Sequence, residues 1–175
     1  DLLERLVRIR KMANVISVRQ KQALGLGHAV LTGRQVIGAD PFAVLLGDEI
    51  MISRNHEKTT TQILADVYAE TGVSSVAVMQ VAESEVSKYG IVDITGSPAD
   101  SKLMKVQSVV EKPSIAKAPS RWALPGRYVF SAEIFPYLAE TRPGVNGEIQ
   151  LTDAMTRLAQ EHGLYATSFT ARRYD

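Results

Sequence analysis

Charged residues follow two apolar runs of the sequence, at the points where buried strands would end. The run 42–46 leads into Asp48, and the run 105–110 leads into Glu111 and Lys112. Ligands of open α/β sheets bind beyond the carboxyl ends of the strands. A carboxylate there can hold a metal ion, and a Glu–Lys pair can meet hydroxyl groups and a phosphate. Together the two stretches predict a site for a phosphorylated, hydroxylated substrate.

Asp48 is the candidate metal ligand of this site. Mg²⁺ is commonly held by one or two carboxylates together with substrate phosphates, so a single aspartate at a strand end suffices. A cap of a following helix or turn is the alternative role for such an aspartate. For the neighbouring Glu49 the sequence favours a solvent-exposed position or one that supports the metal ligand.

The tripeptide Glu111-Lys112-Pro113 offers two charges of opposite sign. Neighbouring residues on a strand point to opposite faces, so both charges can serve one ligand only if the strand twists or ends here. Pro113 would enforce such an end. The carboxylate can accept hydrogen bonds from adjacent sugar hydroxyls, and the ammonium can neutralise a phosphate. A simple surface ion pair is the alternative.

A glycine-containing turn precedes a helix predicted at 28–36. Gly25 and Gly27 would let the backbone approach a ligand closely, beside the N–H groups of the helix N-terminus. Gln20 has both a donor and an acceptor, which suits the edge of a nucleobase. Val30 replaces the third glycine of a dinucleotide fingerprint, and no Gly-Lys-Ser/Thr phosphate loop follows. An ordinary strand–helix turn explains this stretch equally well.

The composition of the 175 residues is that of an ordinary globular domain with a sizeable core, 45% hydrophobic and 22% charged. A net charge of +1 gives no argument for nucleic acid or a membrane surface as partner. The absence of cysteine excludes disulfides and thiolate metal sites, and it fits a cytoplasmic protein. The first residues resemble the middle of a helix and the end is abrupt, so we expect a fragment of a longer protein.

Hydrophobic periodicity predicts alternating helices and strands. Helices are expected at 2–11, at 28–36, at 59–70, from an N-cap at Ser131, and at 148–161. Strands are expected at 14–19, 42–46, 75–81, 89–94, 105–110, 126–130 and 164–169, with a turn at 96–98. This order favours a three-layer α/β fold with a mixed, mostly parallel sheet, in one domain over 1–175.

Several short segments carry a resemblance to a known family. They are Val-Arg-Gln at 18–20, Leu-Gly-Leu-Gly-His-Ala-Val at 24–30, Leu-Gly-Asp at 46–48, Tyr-Gly-Ile-Val-Asp at 89–93, Val-Val-Glu-Lys-Pro at 109–113, Gly-Arg-Tyr-Val at 126–129 and Gly-Glu-Ile-Gln-Leu-Thr-Asp-Ala at 147–154. As an ordered set they resemble the sugar-nucleotidyltransferase family, in particular its bacterial uridylyl members. The resemblance spans residues 18–175 and implies a Rossmann-like nucleotidyltransferase domain.

The resemblance implies formation of UDP-glucose and pyrophosphate from UTP and glucose 1-phosphate. By the family pattern, Gln20 and Gly25 would contact the uracil ring. Gly90 and Glu111 would hold the glucose hydroxyls, and Lys112 would contact the sugar phosphate. A dimer or a tetramer of identical subunits is also implied, with no nucleic acid or membrane as partner.

The same resemblance implies Mg²⁺ as the cofactor, bound by Asp48 and Asp175. Asp48 and Lys112 would be the catalytic residues. The family's N-terminal glycine-rich signature, with its Arg and Lys for the triphosphate, is absent from the sequence. Gly47-Asp48-Glu49 stands where the uridylyl enzymes more often have Pro-Asp-Asp, which leaves the role of Glu49 open.

Three alternative functions remain open from the sequence. A module of this fold could bind a nucleotide sugar without turning it over, and the absent N-terminal signature favours that interpretation. A thymidylyl or cytidylyl relative would share the Asp and Glu-Lys-Pro elements. A nicotinamide-dependent oxidoreductase is disfavoured by the missing third glycine, although Asp48 lies 21 residues after Gly27, close to the spacing of a ribose-binding acid.

Overall fold

The computed structural model describes residues 1–95, 103–144 and 147–174, in which helices and strands alternate. The α-helices are α1 (Leu2–Arg10), α2 (Leu26–Thr32), α3 (Arg34–Ile37), α4 (Thr60–Thr71), α5 (Ile134–Glu140) and α6 (Leu151–Glu161). The strands are β1 (Phe42–Leu45), β2 (Ile50–Ile52), β3 (Ser75–Gln80), β4 (Gly90–Thr95), β5 (Met104–Glu111), β6 (Trp122–Ala123), β7 (Arg127–Phe130), β8 (Tyr165–Ser168) and β9 (Arg172–Tyr174). None of the helices in these ranges is long and apolar enough to cross a membrane.

Seven strands form one mixed sheet in the order β1-β7-β3-β6-β4-β5-β8, and β3 also pairs with β8. The mixed sheet is confirmed, but the expected parallel majority is wrong for the described strands. The β3–β8 pair is parallel, and the other pairs of this sheet are antiparallel. One reason is the short link 96–103 between β4 and β5, since a parallel crossover needs roughly a dozen or more residues. The turn expected at 96–98 lies outside the described residues.

Helices cover both faces of the sheet, which confirms the expected three layers. Val76 and Val78 of β3 point into a core that also contains Leu158 of α6. Ala77, between them, points to the other face and packs against Leu64 of α4. Successive side chains of a strand alternate between its faces, so this pattern places α4 on one side of the sheet and α6 on the other.

The starts of two helices differ in how they are capped. Thr59 and Gln62 form a capping box at the start of α4, and Gly72 ends that helix in the left-handed conformation. The predicted cap of α5 at Ser131 is wrong, because α5 begins three residues later and has no side-chain cap. Instead the backbone N–H of Ser131 donates to the hydroxyl of Ser74, at 2.9 Å, and ties the end of β7 to the start of β3.

The strand expected at 14–19 does not form. Val15, Ile16 and Val18 are exposed, by 87%, 67% and 48%, and this segment pairs with no described strand. Its alternating pattern is strand-like, but a strand exists only where a neighbouring strand accepts and donates the ladder hydrogen bonds. The preceding helix α1 likewise buries none of its side chains.

Gly27 allows the turn before α2 to touch the segment before α6. Its N–H donates to the carbonyl of Ile149 at 2.9 Å, and the N–H of Ile149 donates to the carbonyl of Leu24 at 2.7 Å. A Cβ atom on Gly27 would lie 2.6 Å from the Ile149 oxygen, so a larger residue does not fit here. The predicted helix 28–36 is divided at Gly33 into α2 and α3.

Helix α6 is fastened to β5 near the end of that strand. The hydroxyl of Thr156 accepts from the N–H of Val109 at 2.9 Å and lies 3.1 Å from the carbonyl of the same residue. The helix begins at Leu151, three residues after the predicted start at 148. Its N-terminus is thereby held next to the end of β5, where the charged tripeptide follows.

Candidate active site

A cavity of about 380 Å³ lies where the start of β4, the end of β5, the start of α6 and the loop after β1 meet. Four of the predicted site residues line it: Asp48, Gly90, Glu111 and Lys112. The structure therefore brings together the two charged stretches that the sequence placed at strand ends. The pairing of β4 with β5 accounts for part of this, since Gly90 stands opposite Glu111 in the ladder.

Strand β5 ends at Glu111, as the presence of Pro113 predicted. Lys112 has a φ of +41°, in the left-handed region that non-glycine residues rarely adopt. Its N–H donates to the carbonyl of Tyr89 at 3.0 Å, which holds the turn against the start of β4. This turn lets both Glu111 and Lys112 line one cavity, although they are adjacent in sequence. Backbone strain of this kind is common at ligand-binding positions.

The carboxyl group of Glu111 lies half-buried on the cavity wall. Burial raises its pKa, while the positive charge of Lys112 and the hydroxyl of Thr152 act in the opposite direction. A Cβ atom on Gly90 would lie 3.3 Å from Oε2 of Glu111 and 3.1 Å from Cγ2 of Thr152. Glycine at position 90 therefore leaves the space in front of the carboxylate open to a ligand.

Arg127 of β7 stabilises the loop that carries Asp48. The Arg127 guanidinium is buried and donates to the carbonyls of Leu46, at 3.2 Å, of Gly126, at 3.0 Å, and of Glu49. The Asp48 side chain itself is exposed to the cavity. In the described part of the chain no three His, Cys, Asp or Glu residues cluster as a metal site. One carboxylate with substrate phosphates is still a normal Mg²⁺ environment, so the residues present fit that ion.

Glu49 is buried, with 7% of its surface exposed, so the solvent-exposed option for this residue is wrong. Both of its carboxylate oxygens lie 2.7 Å from Nε of Arg173, and Nη2 of Arg173 is 2.6 Å from Oε1. Nη1 of Arg173 donates to the hydroxyl of Tyr89 at 3.3 Å. Sequence reasoning missed Arg173, because nothing in the sequence signals the β2–β9 ribbon that carries it.

The two predicted nucleobase contacts lie beside the cavity and do not line it. Nε2 of Gln20 donates to the carbonyl of Gly25 at 3.2 Å and lies 2.8 Å from Nδ1 of His28. Leu26, the next residue along, does line the cavity. The turn therefore reaches the cavity rim. The remaining predicted site residue, Asp175, lies outside the described residues.

Two further residues, Tyr128 and Glu148, line the cavity and were not among the predicted site residues. Tyr128 is buried, and burial together with the negative charges of Glu111 and Glu49 raises its pKa, so its phenol stays neutral. Glu148 lies before α6 and also lines the cavity. The one signal for Glu148 was its place in the family-like segment 147–154.

Comparison with known proteins agrees with the family resemblance of the sequence. A family model described as Nucleotidyl transferase matches residues 2–173. The chain belongs to this family. The nucleotidyl transferase fold expected from the resemblance is thereby confirmed, and family membership decides against the nicotinamide-dependent oxidoreductase.

Two curated relatives have the same name, UTP–glucose-1-phosphate uridylyltransferase. The chain is 45% identical over 175 residues to the protein of Staphylococcus epidermidis, and 45% identical over the same length to that of Staphylococcus haemolyticus. Each alignment covers 100% of this chain and 59% of the relative. The chain thus spans about three fifths of the length of these relatives.

Solved structures of similar fold include two with nucleotide ligands. A UDP-glucose pyrophosphorylase complexed with UDP-glucose is 39% identical with a TM-score of 0.91, over 99% of this chain and 65% of that one. A UTP-bound UGPase from Acinetobacter baumannii is 36% identical with a TM-score of 0.84, over 99% of this chain and 59% of that one.

Proposed function

We propose that this nucleotidyl transferase forms UDP-glucose and pyrophosphate from UTP and glucose 1-phosphate. The proposal rests on one observation, which is that the carboxylate of Asp48 and the Glu111–Lys112 turn line the same cavity. This places a metal-binding group next to groups suited to sugar hydroxyls and a phosphate. The names of the relatives and the UDP-glucose and UTP complexes of the structural neighbours support the choice of substrates.

The residues of the cavity divide between the two substrates in this proposal. Gly90 and Glu111 hold hydroxyls of the glucose ring, and Lys112 holds the phosphate attached to it. Gln20 and Gly25 contact the uracil ring from the turn at the cavity rim. Each assignment joins the family pattern to a position in or beside the cavity.

The chemistry requires positioning and charge neutralisation, with no protein nucleophile. A phosphate oxygen of glucose 1-phosphate attacks the α-phosphorus of UTP, a new P–O bond forms, and the bond to pyrophosphate breaks in line. Lys112 holds the attacking phosphate and reduces its charge repulsion with UTP, without acting as a base.

Nucleotidyl transferases of this family generally use a divalent metal, and we propose Mg²⁺ here. Asp48 and Asp175 would hold the ion, which would supply neutralisation of the substrate phosphates when bound. The pairing of Ile50 with Tyr174 supports this choice, since Ile50 follows Asp48 by two residues and Tyr174 precedes Asp175 in the sequence.

The proposal extends to the organisation of the protein. Residues 1–175 are taken as one nucleotidyltransferase domain, which in its relatives occupies about three fifths of the chain. We propose a cytoplasmic protein that assembles as a dimer or tetramer of identical subunits, without nucleic acid or a membrane as partner.

Glu111→Gln tests the sugar-binding role. Loss of a charge-assisted hydrogen bond should raise the KM for glucose 1-phosphate by on the order of 10-fold, with the KM for UTP nearly unchanged. Steady-state kinetics of the complete gene product, varying each substrate in turn, measure both constants. Glu70→Gln on the exposed side of α4 is the matched control and should change neither. Equal effects on both substrates would contradict the assignment.

We do not expect Glu111→Gln to destabilise the protein, so its KM values can be compared directly with those of the unaltered protein. Burial raises the pKa of Glu111 in the folded protein, so the stability linked to this group is lost as the pH rises through that pKa. The neutral glutamine avoids this loss and should be at least as stable at pH 7, which thermal melts at pH 7 and pH 4 would check.

Pyrophosphate release by the complete gene product tests the proposed function. With Mg²⁺ and glucose 1-phosphate, UTP should support release and dTTP or CTP should not. Release with dTTP or CTP in preference to UTP would instead identify a thymidylyl or cytidylyl enzyme. If folded protein releases nothing but binds UDP-glucose in a calorimetric titration, with NAD as the negative control, it is a nucleotide-sugar-binding module.

A further inference from the structure

A buried ion pair joins the loop of Asp48 to the opposite side of the cavity. Glu49 and Arg173 face each other at 2.6–2.7 Å, with 7% and 19% of their side chains exposed. Arg173 also donates to the Tyr89 hydroxyl at 3.3 Å, and its guanidinium carbon lies 5.3 Å from the centre of the Tyr89 ring. We call these three residues the Glu49–Arg173–Tyr89 bridge.

The bridge connects the loop of the proposed metal ligand to the groups assigned to glucose 1-phosphate. On one side Glu49 follows Asp48, and its backbone carbonyl accepts from Arg127. On the other side Tyr89 precedes Gly90, and its carbonyl accepts from the N–H of Lys112 at 3.0 Å. Arg173 therefore contacts both the residue after Asp48 and the residue before Gly90.

The same contacts decide what Glu49 can do. Both of its carboxylate oxygens lie against the guanidinium of Arg173, so a metal ion would have to displace that cation to bind them. A planar guanidinium that meets a carboxylate through several N–H groups fixes orientation as well as distance.

We infer that Glu49 and Arg173 are positioning residues that hold Asp48 at the correct place relative to Gly90 and Lys112, and that Glu49 does not bind the metal. This inference rests on the proposed function for its kinetic part. Because each substrate still meets its own contacts, loss of the bridge should lower kcat while leaving the KM values within about 3-fold. A misalignment of about 1 Å can reduce turnover on the order of 10²-fold.

A double-mutant cycle separates this role from metal binding. Glu49→Gln, Arg173→Met and the double variant should all lower kcat by the same factor, because each removes the ion pair between Glu49 and Arg173. Factors that multiply in the double variant would overturn the inference. Lys58→Met and Asp66→Asn remove an exposed 2.6 Å ion pair on the surface and are the matched control, with no expected change in kcat.

Two readouts do not depend on turnover. If Glu49 were a metal ligand, a Mn²⁺ titration should show tighter metal binding by Arg173→Met and weaker metal binding by Glu49→Gln. Our inference expects no such opposite changes in Mn²⁺ affinity. Hydrogen–deuterium exchange of the metal-free protein should be faster at the Lys112 amide in both variants. Unchanged exchange there would overturn the inference.

Failure of the bridge and failure of the proposed function give different results. If the unaltered protein releases no pyrophosphate with any nucleotide, the proposed function fails, and the exchange experiment still decides whether the bridge positions Lys112. Should Arg173→Met not fold, Arg173→Lys provides a second cycle with Glu49→Gln. Lysine keeps the charge but cannot reproduce the planar set of donors, so the same shared loss of kcat is expected.

Discussion

Asp48→Asn is expected to lower turnover by on the order of 10²-fold or more. The substitution keeps the size and polarity of the side chain but removes the negative charge that would hold Mg²⁺ in the cavity. Removal of one preorganised group that stabilises the transition state has an effect of this size in other enzymes. Because the side chain is exposed and makes no hydrogen bond to another described residue, the stability should change little. Pyrophosphate release at saturating substrates measures the loss.

Asp40→Asn is the matched control for this prediction. Asp40 is also exposed and precedes β1, whereas Asp48 follows it, so the two aspartates stand at opposite ends of one strand. The control should retain normal turnover. The dependence on Mg²⁺ concentration gives a further check, since Asp48→Asn should need more metal for half-maximal activity. Normal turnover of Asp48→Asn at limiting Mg²⁺ would contradict the metal assignment.

The charged turn at Glu111 was predictable because its cause is local. Pro113 ends β5, and the end of the strand lets two adjacent side chains reach one cavity. The strands 42–46, 75–81 and 105–110 and the helix 59–70 were likewise found within one or two residues of their predicted positions. Apolar runs, glycine ends and capping residues are all properties of short stretches of sequence.

The errors come from interactions between residues that are distant in the sequence. The strand expected at 14–19 has the right residues but no neighbouring strand, and pairing decides whether a strand forms. The β2–β9 ribbon consists of two strands of three residues, too short to show periodicity. It brings Arg173 to Glu49 across 124 residues of sequence, so neither the ion pair nor its link to Tyr89 could be foreseen.

The Gly-Asp-Glu sequence at 47–49 contains both a feature with a local cause and a feature set by a distant residue. Its aspartate could be predicted as a cavity residue because a strand ends just before it. The direction of its glutamate could not, because that direction is set by Arg173 and not by the local chain. Both acidic residues line the cavity, but the Asp48 side chain is exposed to it, whereas the Glu49 carboxylate is buried and paired with Arg173.

Lys112→Gly is expected to reduce kcat/KM for glucose 1-phosphate by on the order of 10²-fold without destabilising the protein. The variant removes the ammonium that would neutralise the sugar phosphate, a contact of the kind that accounts for losses of this size. It also relieves a residue held at a φ of +41°. Such strain costs about 1–3 kcal/mol, which offsets the roughly 0.5–1 kcal/mol that glycine loses through its greater freedom when unfolded.

His56→Gly separates the relief of strain from the loss of charge. His56 is the other non-glycine residue with a positive φ in the described chain, at +70°, and it is exposed and does not line the cavity. Thermal melts should show both variants to be as stable as the original protein or more so. Only Lys112→Gly should lose activity, and the loss should be greater for glucose 1-phosphate than for UTP. A Lys112→Gly protein that keeps its kcat/KM within about 3-fold would show that the strained turn serves the fold and not the phosphate.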